Sequence, residues 1–108
     1  MEHEGITSIA SENDFQQEVS NSQVPTVVDL WAPWCAPCIM QGKILEELAQ
    51  KHGEKVKILK VNVDEVPGVA MKYRVQAIPT LLFFKNGNLE NSHIGLMSLE
   101  DLERALGL

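Results

Sequence analysis

Cysteine is scarce in this chain, and so is positive charge. Of 108 residues only two are cysteines, and nine Lys and Arg stand against fifteen Asp and Glu, a formal charge of −6. The densest basic run is KHGEKVKILK (51–60), and the other cations are scattered. A general nucleic-acid binder is excluded on that ground, because phosphate neutralisation needs clustered Lys and Arg. No apolar run is long enough to cross a bilayer, so no membrane association is expected. MEHEGITSIA lacks the cationic start and apolar core of an export signal, which, with residue 1 as the native start, points to a cytoplasmic protein. A Gly-rich nucleotide loop is missing too, so no bound cofactor is expected.

What is present is ordinary for a folded chain: 44% apolar and 22% charged residues. With no repeats, linkers or low-complexity segments, residues 1–108 read as a single domain, disordered at most over 1–5. The two cysteines, Cys35 and Cys38, lie together in VVDLWAPWCAPCIMQGKIL (27–45). A bridge between them closes so short a loop that it constrains the unfolded chain little. In a reducing compartment, structural disulfides are rare in any case. Chemistry or a metal remains.

The periodicities give an order of elements. SENDFQQEVS (11–20) predicts a helix capped by Ser11, with Phe15 and Val19 on one face. TVVDLWA (26–32) predicts a buried strand. From Ala36 to His52 the period becomes helical, with Met40, Ile44, Leu45, Leu48 and Ala49 on one face and Gly53 as the stop. VKILKVNV (56–63) is the next strand, and Asp64 is expected to cap a short helix over 65–73. TLLFFK (80–85), the NG turn at 86–87 and NLENSHI (88–94) form a hairpin. SLEDLERALGL ends the chain as a helix capped by Ser98 and stopped by Gly107, and a first strand fits near 5–9. Strand–helix–strand crossovers make the early strands parallel, and the hairpin adds an antiparallel edge. The expectation is a three-layer α/β/α domain with a mixed sheet.

The C-x-x-C falls between strand and helix, and that placement carries the chemistry. Cys35 sits at the helix start, where unpaired N–H groups and the positive dipole end favour a thiolate. Pro37 suits the first turn. Cys38 comes round on the same side, within reach of the Cys35 sulfur, so thiol–disulfide exchange is expected with Cys35 attacking and Cys38 resolving. A zinc site would need two further ligands, but His3, His52 and His93 have no paired spacing and read as surface residues. No metal is expected. Met40 and Met71 read as core, Trp31 as a strand aromatic, and Trp34 as partly exposed beside Pro33.

WAPWCAPC, preceded by VVDL and followed by KILKVNVD (57–64), QAIPTLLFFKNG (76–87) and HIG (93–95), resembles the thioredoxin family from about residue 24 to the end. The resemblance implies the thioredoxin fold, with four helices around a central mixed sheet. It implies a protein-disulfide reductase with a redox-active Cys35–Cys38 couple, Cys35 as nucleophile and Cys38 as resolving thiol. Asp29 would be the buried proton acceptor behind Cys38, Lys60 its partner on the next strand, and Pro79 a cis-proline facing the sulfurs. Trp34, Ala36, Pro37, Ala77, Ile78 and Gly95 would contact substrate. Trp31 and Gly87 would support the site, the two glycines relieving backbone crowding.

Physical chemistry favours that role for Asp29, since a carboxylate buried without a partner is pushed toward neutral titration. Taken without the resemblance, Asp29 is equally well a solvated strand end, and Pro79 a residue opening a strand. The family also implies a monomer, serving disulfide-bearing target proteins and recycled by a thioredoxin reductase drawing on NADPH.

Three positions depart from the family pattern. Ala36 stands for the usual glycine, which predicts an altered reduction potential. Ile39 stands for a basic residue, leaving the helix dipole as the thiolate's main local support. Lys43 stands for the kink proline, so any bend at Gly42 is expected to be milder or displaced. The rival readings are a thiol oxidase or isomerase of higher potential, and a non-catalytic docking subunit.

Overall fold

The computed structural model describes residues 5–108, so His3 and, apart from Gly5, the disorder expected over 1–5 lie outside the described residues. Among these are five strands and four α-helices. In chain order they are β1 (Ile6–Ser8), α1 (Glu12–Asn21), β2 (Thr26–Trp31), α2 (Ala36–His52), β3 (Lys57–Asn62), α3 (Pro67–Lys72), β4 (Thr80–Lys85), β5 (Asn88–Ile94) and α4 (Leu99–Leu106). A short 3-10 turn, Gly53–Lys55, follows α2.

The sheet order is β1-β3-β2-β4-β5. The first three strands in that order are parallel, whereas β4 runs antiparallel to β2 and β5 antiparallel to β4. Alternation along the strands divides the core in two. Val27, Ile58, Leu81 and Phe83 pack with Leu45, Leu48, Leu102 and Leu106 under α2 and α4. Val28, Leu30, Leu59, Leu82 and Phe84 pack with Phe15, Val19 and Val69 under α1 and α3.

Local chemistry sets the element ends. The Ser11 hydroxyl accepts the Asp14 N–H at 3.0 Å, and Asp14 in turn accepts the Ala10 N–H at 2.9 Å, a reciprocal cap for α1. Ser98 caps α4 through the Asp101 N–H at 3.1 Å, and Gly107 closes it in the left-handed region. Asn86 (φ 53°) and Gly87 (φ 80°) both take the positive φ that a tight two-residue hairpin requires. At its far end α2 is fastened to α4. Glu103 receives both Lys51 Nζ at 2.7 Å and His52 Nε2 at 2.6 Å.

Four expectations are corrected. Met40 is 55% exposed and Met71 75% exposed. The buried face of α2 runs through Cys38, Gln41, Leu45, Leu48 and Ala49, so a polar residue holds the inward position and Met40 is turned aside. His52 is not an exposed helix end, being half-buried against Glu103. Asp64 does not cap α3, which starts later, at Pro67, with no side-chain cap. Its carboxylate instead accepts the Trp34 indole N–H at 2.8 Å.

Candidate active site

β2 ends in the loop that delivers Cys35 to the N-cap of α2, with Pro37 in the first turn. The two cysteines form a disulfide, their Cα atoms 5.2 Å apart. The Cys38 N–H points at Cys35 Sγ at 3.3 Å, so the helix end offers a donor to that sulfur. Cys35 is 7% exposed and Cys38 0%, so any approach from solvent meets Cys35 first. On the other side Cys35 Sγ lies 3.8 Å from the Ile78 carbonyl oxygen. The Ile78–Pro79 peptide is cis. The Ala77 carbonyl is turned to the Thr80 hydroxyl at 2.6 Å, so of the two carbonyls Ile78 supplies the one facing the sulfur.

Beneath α2 lies Asp29. Strand parity puts it on the same face as Val27, and its register neighbours are Lys60 on β3 and Leu81 on β4. Among the described residues neither carboxylate oxygen has a hydrogen-bond partner. Desolvation therefore raises its pKa from 3.8 to about 7, with the Lys60 ammonium pulling in the opposite direction. The Lys60 head sits over the Trp31 ring, 4.2 Å from its centroid. A side chain on Gly42 would place its Cβ 3.4 Å from that ammonium, a close van der Waals contact with the flexible end of Lys60.

This combination, a disulfide at a helix start above a buried carboxylate that titrates near neutrality, suits sulfur exchange. Residues 6–107 match the family model described as Thioredoxin. The chain belongs to the thioredoxin family. It is 40% identical over 101 residues to Thioredoxin 1 of Synechococcus elongatus, covering 94% of this chain and 94% of that protein. Against the chloroplastic M-type thioredoxin of Spinacia oleracea it is 43% identical over 94 residues, 85% of this chain and 52% of that protein. The crystal structure of thioredoxin from Malassezia sympodialis superposes with a TM-score of 0.83 at 33% identity, covering 99% of this chain and 92% of that one.

Like other thioredoxins, this chain is a dithiol–disulfide oxidoreductase that reduces protein disulfides, and thioredoxins need no prosthetic group. Among the described residues no group of three or more His, Cys, Asp and Glu is placed to hold a metal, and no helix is long and apolar enough to cross a membrane.

Most of the residues singled out in the sequence converge through a short series of contacts, but Gly87 is corrected: it turns the hairpin at the end of β4 away from Pro79, beside Ser20, and does not support the site. Trp34, Ala36 and Pro37 are exposed around the disulfide, Trp34 at 71%. Ile78 is half-buried and Pro79 buried, and the Pro79 carbonyl accepts the Gly95 N–H at 2.8 Å. That bond brings the exposed Ile94 and Leu96 to the same rim. The crowding argument for the glycines does not hold. A Cβ on Gly95 would meet no described atom within 4 Å, and on Gly87 only ordinary contact at 3.9 Å. Their positive φ values, 97° and 80°, are what select glycine.

Two residues were missed. Gly42 entered only as a weak point in α2, although it faces the Lys60 ammonium. Gln41 went unnoticed beside the apolar Met40, yet it is fully buried and bonded at both ends of its amide. A polar residue breaking an apolar helical face was the available signal. A cavity of about 720 Å³ opens at the opposite end of α2, bordered by Gly5, Ala49, Gly53 and Lys57, and holds none of this chemistry.

Proposed function

We propose that Cys35 attacks target disulfides and Cys38 resolves the resulting mixed disulfide. The observation that carries this is their unequal burial at the start of α2, with the Cys38 N–H aimed at Cys35 Sγ. In the reduced protein the Cys35 thiolate attacks one sulfur of the target, and the target's other sulfur leaves as a thiolate and takes a proton. Cys38 then loses its proton to Asp29 and attacks Cys35 Sγ, which releases the second target thiol and restores the internal disulfide. Lys60 moderates the Asp29 charge. Ile78, next to Pro79, offers its carbonyl to an extended target backbone, while Trp34, Ala36, Pro37, Ala77 and Gly95 line the contact rim.

Thioredoxin-family proteins act with thioredoxin reductases and disulfide-bearing targets. The reading for this chain is a monomeric single domain working in the cytoplasm, re-reduced by such a reductase with electrons from NADPH. Chloroplastic relatives offer the other compartment. The reducing direction is favoured over oxidase or isomerase activity by the Asp29–Lys60 pair behind the sulfurs, and over a docking role by the intact cysteine pair.

The test uses the two serine variants. Cys35→Ser abolishes insulin reduction, and Cys38→Ser accumulates a stable mixed disulfide with targets. Normal turnover by Cys38→Ser overturns the relay. A Cys35–Cys38 potential in the range of oxidising family members, about −120 to −180 mV, overturns the direction.

A further inference from the structure

Among the described residues, the buried polar side chains are those of Thr26, Asp29, Gln41 and Thr80. The two threonine hydroxyls serve short-range turns, and Asp29 belongs to the site above. Gln41 is different, because it reaches across the fold. Its Nε2–H donates to the Met97 carbonyl at 3.1 Å, and its Oε1 accepts the Met97 N–H at 2.7 Å, across 56 residues of sequence. A side-chain amide here pairs with one residue's backbone as a neighbouring strand would. The two partners also fix which way the amide faces, since oxygen must meet the N–H and nitrogen the carbonyl.

The location gives this pair its meaning. Gln41 lies one helical turn beyond Cys38 on the same buried face of α2. Met97 lies in the loop between β5 and α4, just after Gly95 and Leu96, and Ile94 ends β5 beside them. The Gly95 N–H bonds the Pro79 carbonyl, and the Ile78 carbonyl faces Cys35 Sγ. A closed circuit results: Cys35, Cys38, Gln41, Met97, Gly95, Pro79, Ile78 and back to Cys35. Gln41 is the link in it that joins the sulfur-bearing helix to the outer wall of the rim. Ile44, Met97 and Leu99 pack as apolar neighbours around the adjoining core, so few polar groups are at hand to replace the amide.

We infer that Gln41 is a positioning residue for protein substrates: it fixes the Ile94–Leu96 wall at a set distance from the sulfurs. It thereby favours disulfides carried on a peptide backbone over small disulfides that need no wall. This rests on the relay reading above. The chemistry at sulfur is left to Cys35, Cys38 and Asp29, which Gln41 does not replace.

The experiment compares wild type, Gln41→Met and Gln41→Glu. The readouts are insulin reduction, reduction of a small aromatic disulfide without peptide backbone, and exchange of the Met97 amide. Gln41→Met keeps length and volume but loses both bonds. Its insulin KM is expected to rise about tenfold, the small-disulfide rate to stay within about twofold, and Met97 exchange to quicken about tenfold or more. Gln41→Glu supplies the rescue. At pH 8 its carboxylate cannot donate to the Met97 carbonyl, and selectivity for insulin falls as in Gln41→Met. At pH 5 the buried carboxyl is protonated, accepts the Met97 N–H and donates to its carbonyl. Selectivity relative to wild type at that pH then returns.

Unchanged insulin KM in folded Gln41→Met, or equal loss on both substrates, overturns the inference. If Gln41→Met does not fold, Gln41→Glu decides, and a pH-independent selectivity relative to wild type overturns it. Wild type failing on insulin would sink the relay reading instead.

Discussion

Asp29 and Gln41 occupy the same layer, between the sheet and α2, and both are fully buried. Their surroundings are opposite. Gln41 has both amide functions satisfied by Met97, while among the described residues the Asp29 carboxylate has no hydrogen-bond partner. A satisfied buried polar group fixes geometry, because breaking it leaves orphans on both sides. An unsatisfied carboxyl cannot do that, but it can gain and lose a proton near neutrality. One of each lies within the reach of a single helix.

Four substitutions separate the two roles. The largest effect is expected at Asp29. The folded chain holds the Asp29 proton up to about 7, against 3.8 ordinarily, so between those values the folded state binds the extra proton. Stability therefore falls as pH rises from about 4 to about 7 and is flat above. Asp29→Asn removes that slope and gains about 2–4 kcal/mol at pH 8, with little gain at pH 4. Urea unfolding at a series of pH values reads it, and an unchanged slope would mean that Asp29 titrates normally. Activity moves the other way, with resolution of the mixed disulfide slowed at neutral pH about tenfold or more.

Next comes Gln41→Leu, which should cost about 2–3 kcal/mol by orphaning the Met97 N–H and carbonyl. Its loss should be the same at pH 5 and pH 8, and a slope with pH would erase the contrast with Asp29. Lys60→Met follows. Removing the ammonium that holds the Asp29 pKa down should carry the end of the stability slope above pH 7, visible in the carboxyl carbon shift of Asp29. The smallest effect is expected from Gly42→Ala. Up to about 1 kcal/mol of helix propensity is gained. Displacing Lys60 Nζ, 3.4 Å from the new methyl, offsets part of it. A net change within about 0.5 kcal/mol by urea unfolding is the outcome expected.

Much of the architecture was legible because it is written locally. Ser11 and Ser98 announce their helices, Asn86-Gly87 its hairpin, and the β-branched runs their strands, since each rests on neighbours a few residues away. The disulfide and its helix were readable for the same reason. What escaped depends on partners distant in sequence. Asp64 looked like a cap because the Trp34 indole that claims it lies 30 residues earlier. His52 looked exposed because Glu103 comes 51 residues later. Met40 was taken for core over Gln41 because periodicity weighs apolarity, and the groups that make a buried amide acceptable are 56 residues downstream. For Asp29 the strand pattern left burial and a solvated strand end equally open, and only the resemblance favoured burial; the structure buries it fully, with no hydrogen-bond partner among the described residues.

The double grip of Glu103 on Lys51 and His52 has a mechanical consequence. It clamps α2 at the end away from the sulfurs, as a beam is bolted to a wall, and Gln41 adds a brace near the other end. The disulfide sits on the short stretch ahead of these ties, the first turn from Ala36 to about Met40. The rest of the helix, from Gln41 to His52, is tied to its neighbours at both ends of its length, at Met97 and at Glu103.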